Sequence, residues 1–289
     1  MTRPSYSQTM ADRRIPAVLS IAGSDSGGGA GIQADLKAFA RCGVHGMTAI
    51  TALTAQNTTG VSAVHPVPPE MIVEQVRQVA GDIGVDAVKI GMLGTAEAVR
   101  AVREALGLLE RGTPIVVDPV MVAESGAVLL DDEARGALAE LLLPLASVIT
   151  PNVPEARVLA DRPDGDGAAL ARALHALGPR AVVVTGGHRD EVVDVFFDGE
   201  TLEELSGPRH RDGAAHGSGC THSSALAAHL ALGHAPLDAA RAARAIASEA
   251  VRDGLRELGA GAGPVDVFGL RHRSTFGARE PRHAAAPLA

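Results

Sequence analysis

The chain has 289 residues, 46% of them hydrophobic, with 33 glycines, no tryptophan and only 2% aromatics, so its core is expected to be built from Ala, Val, Leu and Ile. Its formal net charge is -8, and lysine occurs only at Lys37 and Lys89, which argues against a nucleic-acid partner. Residues 1–14 are polar without an apolar signal core, and no apolar run approaches the roughly 18–20 residues needed to span a bilayer. With two cysteines, Cys42 and Cys220, far apart and outside any C-x-x-C pair, the expectation is a cytoplasmic protein with free thiols.

Short β-rich runs alternate with helical patterns along the chain. Residues 17–22 read as a buried strand, followed by a glycine-rich turn and a helix over 31–41. Strands follow at 47–53, 87–90, 114–118, 147–150 and 181–185, with helices at 69–80, 96–110, 131–142 and 167–177 between them. Strands separated by helices of this length imply βαβ units and a mostly parallel sheet. Runs 191–197 and 201–205 flank Asp198-Gly199, which predicts an antiparallel hairpin at one edge. Two helices, at 218–232 and 237–257, complete the pattern. No linker-like shift in composition falls within 15–268, so a single domain over residues 15–270 is expected, with disordered ends at 1–14 and 271–289.

Several common sites are missing. There is no G-x-x-x-x-G-K-[ST] phosphate loop and no G-x-S-x-G elbow. Gly29-Ala30-Gly31-Ile32-Gln33-Ala34 fits G-x-G-x-x-A, but the following strand ends in Ala55-Gln56-Asn57, with no acidic residue between Asp35 and Glu70 to hold a ribose. The spacing of His216, Cys220 and His222 matches no established metal site. Cys42 reads as a small buried hydrophobe, and His45, His175 and His234 as packing or surface residues.

Other features point to chemistry on phosphate. Ala215-His216-Gly217-Ser218-Gly219-Cys220-Thr221 runs into an Ala/Leu-rich helix, whose first N–H groups form an anion site. Cys220 stands where the helix dipole favours a thiolate. Five glycines within residues 23–31 leave backbone amides bare for close approach of a flat ligand. Asp118 sits at a strand's carboxyl tip, the edge where open α/β sheets collect ligands. Asn152 and Glu155 stand at the next tip; they read equally as oxygen ligands for a water-bridged Mg²⁺ or as an N-cap with its capping-box partner.

Taken together, Ile21–Lys37, Ile50–Asn57, Val88–Leu93, Asp118–Met121, Thr150–Ala156, Gly186–His188 and His216–Thr221 resemble the hydroxymethylpyrimidine/phosphomethylpyrimidine kinases of thiamine biosynthesis, within the ribokinase-like superfamily. The resemblance spans roughly residues 17–268. It implies an α/β three-layer sandwich, a mostly parallel central sheet flanked by helices with an antiparallel edge hairpin. It further implies phosphorylation of 4-amino-5-hydroxymethyl-2-methylpyrimidine and then of its monophosphate, with ATP and Mg²⁺ as cofactors, by a homodimer. Gln56 would bond the pyrimidine edge, with Gly23, Asp35, Met92 and Val120 completing the substrate site. Asn152, Glu155, Thr185 and Gly187 would serve ATP and its phosphates, and Asp118 and Glu155 the metal through water. Gly217, Ser218, Gly219 and Cys220 would form the catalytic loop, with Cys220 where many superfamily members carry Asp as base. The amide of Gln56 also offers both a donor and an acceptor, which suits an aminopyrimidine. One departure is Val184-Thr185-Gly186-Gly187-His188, which lacks the lysine usual before Gly-Gly-His; Ser218 replaces the frequent Thr. The alternatives are a pyridoxal-type kinase on the same fold and a binding protein without turnover.

Overall fold

The computed structural model describes residues 15–122, 126, 129–186, 192–211 and 213–273. Nine strands form one sheet: β1 (Ala17–Asp25), β2 (His45–Asn57), β3 (Gly60–Pro66), β4 (Ala87–Ile90), β5 (Ile115–Val117), β6 (Val148–Ile149), β7 (Val182–Val184), β8 (Val192–Phe197) and β9 (Leu202–Gly207). Their order is β3-β2-β1-β4-β5-β6-β7-β8-β9. The pairs from β2 through β7 are parallel, whereas β3 and the β8–β9 hairpin are antiparallel.

Both faces of the sheet are covered, which is why the central strands read as unbroken apolar runs. Leu19, Ile21, Val88, Ile90, Val117 and Ile149 pack into one core with α2 (Pro69–Asp82), α3 (Ala96–Ala105), α4 (Asp132–Leu141) and α6 (Gly167–His175). Val18, Ala87, Val116, Val148 and Val183 alternate with them and face α1 (Gly31–Arg41), α7 (Ser218–Ala231) and α8 (Pro236–Arg252). The remaining helices are the short α5 (Val153–Leu159) and α9 (Leu270–Arg273). Among the described residues no helix is long and apolar enough to cross a membrane. The fold class is the expected one: a mostly parallel sheet between helix layers, with an antiparallel portion at its edge.

Four departures from the sequence expectation have local causes. Strand β3 adds a second antiparallel edge; its residues are largely exposed, so it carries no apolar face to read. Helix α3 ends at Ala105 and tightens into a 3-10 turn at Leu106–Leu108 instead of running to 110. Helix α8 stops at Arg252 rather than 257, because the chain turns at Gly254, where a Cβ would lie 2.7 Å from the Ala214 nitrogen. Residues 271–273, expected to be disordered, lie in α9, and the Arg271 amide donates to Asp266 Oδ2 at 2.9 Å. The expected tails 1–14 and 274–289 lie outside the described residues.

Candidate active site

The parallel strands wind outward from β1 in both directions, with β2 on one side and β4 on the other. That reversal makes a crevice at the carboxyl ends of the strands. Gly23 sits there: the β1–β2 register slips between Ala22 and Ser24, and the Gly23 amide donates to the Met92 carbonyl at 3.1 Å. Thr51 Oγ1 donates to the same carbonyl at 2.8 Å. Gly23 and Met92 are therefore held side by side, and a Cβ on Gly23 would lie 3.0 Å from the Met92 sulfur. Across β2, Gln56 and His216 line a cleft of about 320 Å³ with Asn57, Thr58, Thr59, Gly261 and Ala262. The Gln56 Oε1 accepts from Thr54 Oγ1 at 3.1 Å, which orients the amide.

The two glycine-rich segments touch. Gly217 caps α7 with φ +84°, and a Cβ there would lie 1.8 Å from the Gly29 carbonyl, so no other residue fits without moving one loop. His216 Nε2 lies 3.2 Å from Asp25 Oδ2, a carboxylate that also accepts from the amides of Gly27 (2.7 Å), Gly29 (3.0 Å) and Ala30 (2.8 Å). Burial works against the Asp25 charge, but the bonds from His216 and these amides hold its carboxyl below the usual range. His222 lies elsewhere, 4.0 Å from Asp194, so His216 and His222 do not converge.

Beneath the crevice lies a buried set of charges on the α1/α7 face of the sheet. Lys89 has no exposed side-chain surface; its Nζ is 2.9 Å from Asp35 Oδ1 and 3.9 Å from Asp118 Oδ2. Asp35 also accepts from Ser20 Oγ at 2.5 Å and Ser224 Oγ at 2.7 Å, and Asp118 from Ser223 Oγ at 2.9 Å. Asp35 was expected in the substrate site. Its side chain is wholly enclosed and partners Lys89 and Ser224 of α7. Lys89 had no assigned role, although a lysine within the strand Ala87-Val88-Lys89-Ile90 is a readable signal, since a charge on a fully covered strand requires a partner. Burial opposes the Lys89 charge, but the anions around it, Asp35 foremost, raise its pKa above the usual lysine value.

The same surroundings alter Cys220. Cys220 is half-buried and opens α7, but packing around its sulfur pushes the thiol up to about 12. Lys89 and the Gly31 amide oppose the rise, while Asp35 and Asp118 add to it. The expected lowering by the helix start is thus reversed, because desolvation and two carboxylates outweigh the dipole.

At the next tip the capping box is complete: the Glu155 amide donates to Asn152 Oδ1 at 2.9 Å, and the Asn152 amide donates back to Glu155 Oε2 at 3.0 Å. Glu155 is also an ionisable group of the crevice. Burial, and then the Asp118 charge, push its carboxyl up to about 8 despite the bonds from Asn152 and Met121. Asp118 itself is raised by burial, against the pull of Lys89 and Ser223. Two hard, mutually repelling carboxylates are a donor set that suits a divalent cation. Among the described residues no group of three or more His, Cys, Asp or Glu side chains is arranged to hold a metal. Val120 follows Asp118, its amide donating to the Asp118 carbonyl at 2.8 Å. Thr185 bridges to Asn152 at the β7 tip, and Gly187 lies outside the described residues.

Residues 25–266 match the family model described as phosphomethylpyrimidine kinase. The chain belongs to this family. It is 50% identical over 257 residues to the hydroxymethylpyrimidine/phosphomethylpyrimidine kinase of Rhizobium meliloti, covering 86% of this chain and 96% of that one. Among solved structures it resembles the phosphomethylpyrimidine kinase of Clostridium difficile, with TM-score 0.70 and 39% identity over 82% of this chain and 99% of that one. It also resembles the Staphylococcus aureus pyridoxal kinase in complex with AMP-PCP and pyridoxal, with TM-score 0.80 and 33% identity over 90% of this chain and 96% of that one. The family's ribokinase-like kinase fold agrees with the sheet and helix layers described above.

Proposed function

We propose that this chain is an ATP-dependent kinase that phosphorylates hydroxymethylpyrimidine and then its monophosphate, supplying a thiamine precursor. The observation that carries this reading is the meeting of the α7 amino end with the β5 tip, through Ser223 and Asp118 at 2.9 Å. It sets an anion site beside a carboxylate and a second carboxylate, Glu155, at the neighbouring tip. The relatives of the same name support the substrate class.

In this reading the flat pyrimidine lies against Gly23 and Met92, with its polar edge on Gln56 and Val120 beside it. Its hydroxymethyl oxygen attacks the γ-phosphorus of ATP, the bond from that phosphorus to the bridging oxygen breaks, and ADP leaves with the electron pair. The amides of Gly217, Gly219 and Cys220 face the phosphoryl oxygens, where fixed donors stabilise developing charge, while the Ser218 amide donates to the Ala215 carbonyl at 2.9 Å and shapes the turn. Asp118 and Glu155 would hold Mg²⁺ through water, which would supply neutralisation of phosphate charge. Asn152 and Thr185 flank the nucleotide side, with Gly187 as the expected third member. Cys220 would receive the hydroxyl proton as a thiolate, after its own thiol proton has passed to solvent, because the resting thiol is protonated. The protein is further proposed to act as a cytoplasmic homodimer.

A second reading, a pyridoxal-type kinase, is favoured by the higher TM-score to the pyridoxal kinase, 0.80 against 0.70. ATP-dependent turnover compared across hydroxymethylpyrimidine, its monophosphate and pyridoxal decides between them. Pyridoxal as the sole substrate turned over defeats the first reading, and no turnover with any of the three defeats both.

A further inference from the structure

Lys89 stands at the centre of the buried charges, yet no step of the proposed chemistry uses it. We propose that Lys89 is a positioning residue for phosphoryl transfer, whose ammonium ties Asp118 and the first turns of α7 together and keeps a fixed positive charge beneath the anion hole. The inference rests on the kinase reading and adds a residue to it. Lys89 makes and breaks no bond in the reaction.

Three independent features support it. The first is placement. Ser20 pairs with Lys89 across the β1–β4 register, and both project, by strand alternation, to the face that carries α1 and α7. The ammonium there reaches Asp35 on α1 and Asp118 past the end of β5. Each carboxylate in turn accepts from one of two consecutive serines on α7, Ser224 and Ser223. One cation thus fixes, through two anions, the helix whose amino end is the proposed phosphoryl site.

The second is the space above the ammonium. A Cβ on Gly91 would lie 2.7 Å from Lys89 Nζ and 3.0 Å from the Ala22 Cβ. The tip of β4 is therefore bare of side chain where the charge approaches the crevice. Among the described residues, Asp35 Oδ1 is the acceptor within hydrogen-bond distance of Nζ, and Asp118 is held at ion-pair range only.

The third is energetic. A buried ion pair is commonly matched or bettered in stability by apolar residues of similar volume. Stability alone therefore gives little reason for a lysine in a strand otherwise made of Val, Ile and Ala. A site that must balance Asp35, Asp118 and Glu155 while polyphosphate enters does give one. The chain's other lysine, Lys37, bonds the Gly28 carbonyl at 2.6 Å.

The test is steady-state kinetics with hydroxymethylpyrimidine and ATP, alongside thermal melting, on the wild type, Lys89→Met and the double variant Asp35→Asn/Lys89→Met. Wild-type turnover is the baseline; its absence overturns the kinase reading rather than this one. Lys89→Met alone leaves Asp35 as an unpaired buried charge, so a lower melting temperature is expected from it. The double variant removes both charges with near-isosteric groups. It is expected to regain the melting temperature while kcat stays down by roughly 10²–10³, the scale of losing one preorganised electrostatic group, with both KM values unchanged. A double variant that regains kcat with its stability, that loses activity through KM alone, or that fails to fold makes Lys89 a structural partner of Asp35 and overturns the proposal.

Discussion

The two sides of the crevice are built from opposite materials. On the β1–β2 side, Gly23, Met92 and Gln56 offer backbone, thioether and amide, and the Asp25 carboxylate, hydrogen-bonded to His216, is spent on holding loops together. On the β4–β6 side, Asp35, Lys89, Asp118, Glu155 and Cys220 crowd ionisable groups into the interior. The difference follows from what each side must handle. A neutral heterocycle is recognised by shape and by paired donors and acceptors, and a buried charge there would only penalise its entry. A phosphoryl group in transfer carries charge that fixed dipoles and cations must meet. The contrast predicts that substitutions on the two sides fail in different ways.

The largest effect is expected at Cys220. Cys220→Ala should lower kcat by roughly 10²–10⁴ if the side chain moves the proton, the usual worth of such a group. A rate near wild type would leave the loop amides as the whole contribution of this turn, in keeping with the thiol raised to about 12. Either result tells whether the charged side acts by proton transfer or by electrostatics alone.

Gln56→Leu tests the neutral side. It should raise KM for the pyrimidine while leaving that for ATP unchanged, since about 1–3 kcal/mol is lost when a ligand's polar edge faces an apolar group. Equal damage to both constants would mean that the β2–β3 hairpin and the charged side are coupled. A smaller change is expected from Ser224→Ala, which removes one of the bonds into Asp35 at a cost of about 1–2 kcal/mol in stability, measured by denaturant unfolding. An unchanged midpoint would show that Asp35 is held by Lys89 and Ser20 alone.

How much of this was legible in the sequence also divides along the crevice. The central strands were readable because coverage on both faces makes them continuous apolar runs, and α1 was placed at its observed bounds. The family resemblance put Gln56, Gly23 and Met92 in one site, and Gly23 and Met92 stand side by side. The charged side was less legible. Asp35 was expected in the substrate site only from the family resemblance; the tertiary placement of β4 sets Lys89 against it. The thiolate expectation for Cys220 failed for a similar reason. A helix start is visible in the sequence, but the desolvation and the two carboxylates that outweigh it come from three different elements.

Glu155 gives the finest test, since it belongs to both a helix cap and the charged side. Its carboxyl titrates at about 8 in the fold against an ordinary value of 4.5. Below pH ~4.5 the folded and unfolded chains both hold the proton. Between the two values the fold retains a proton that the unfolded chain has released, so each rise in pH favours unfolding. Above pH ~8 the folded carboxyl ionises too, and the slope ends. Asp118, raised in the same direction by burial, adds to the trend. The nucleotide- and metal-free protein should therefore lose thermal stability as pH rises from about 5 to about 8. Glu155→Gln should match the wild-type melting temperature near pH ~4.5, where the carboxyl is protonated in both states, and exceed it increasingly as the pH rises towards about 8. An unchanged slope in the variant would mean that Glu155 stays ionised within its capping box, so that the β6 tip carries a full negative charge at rest.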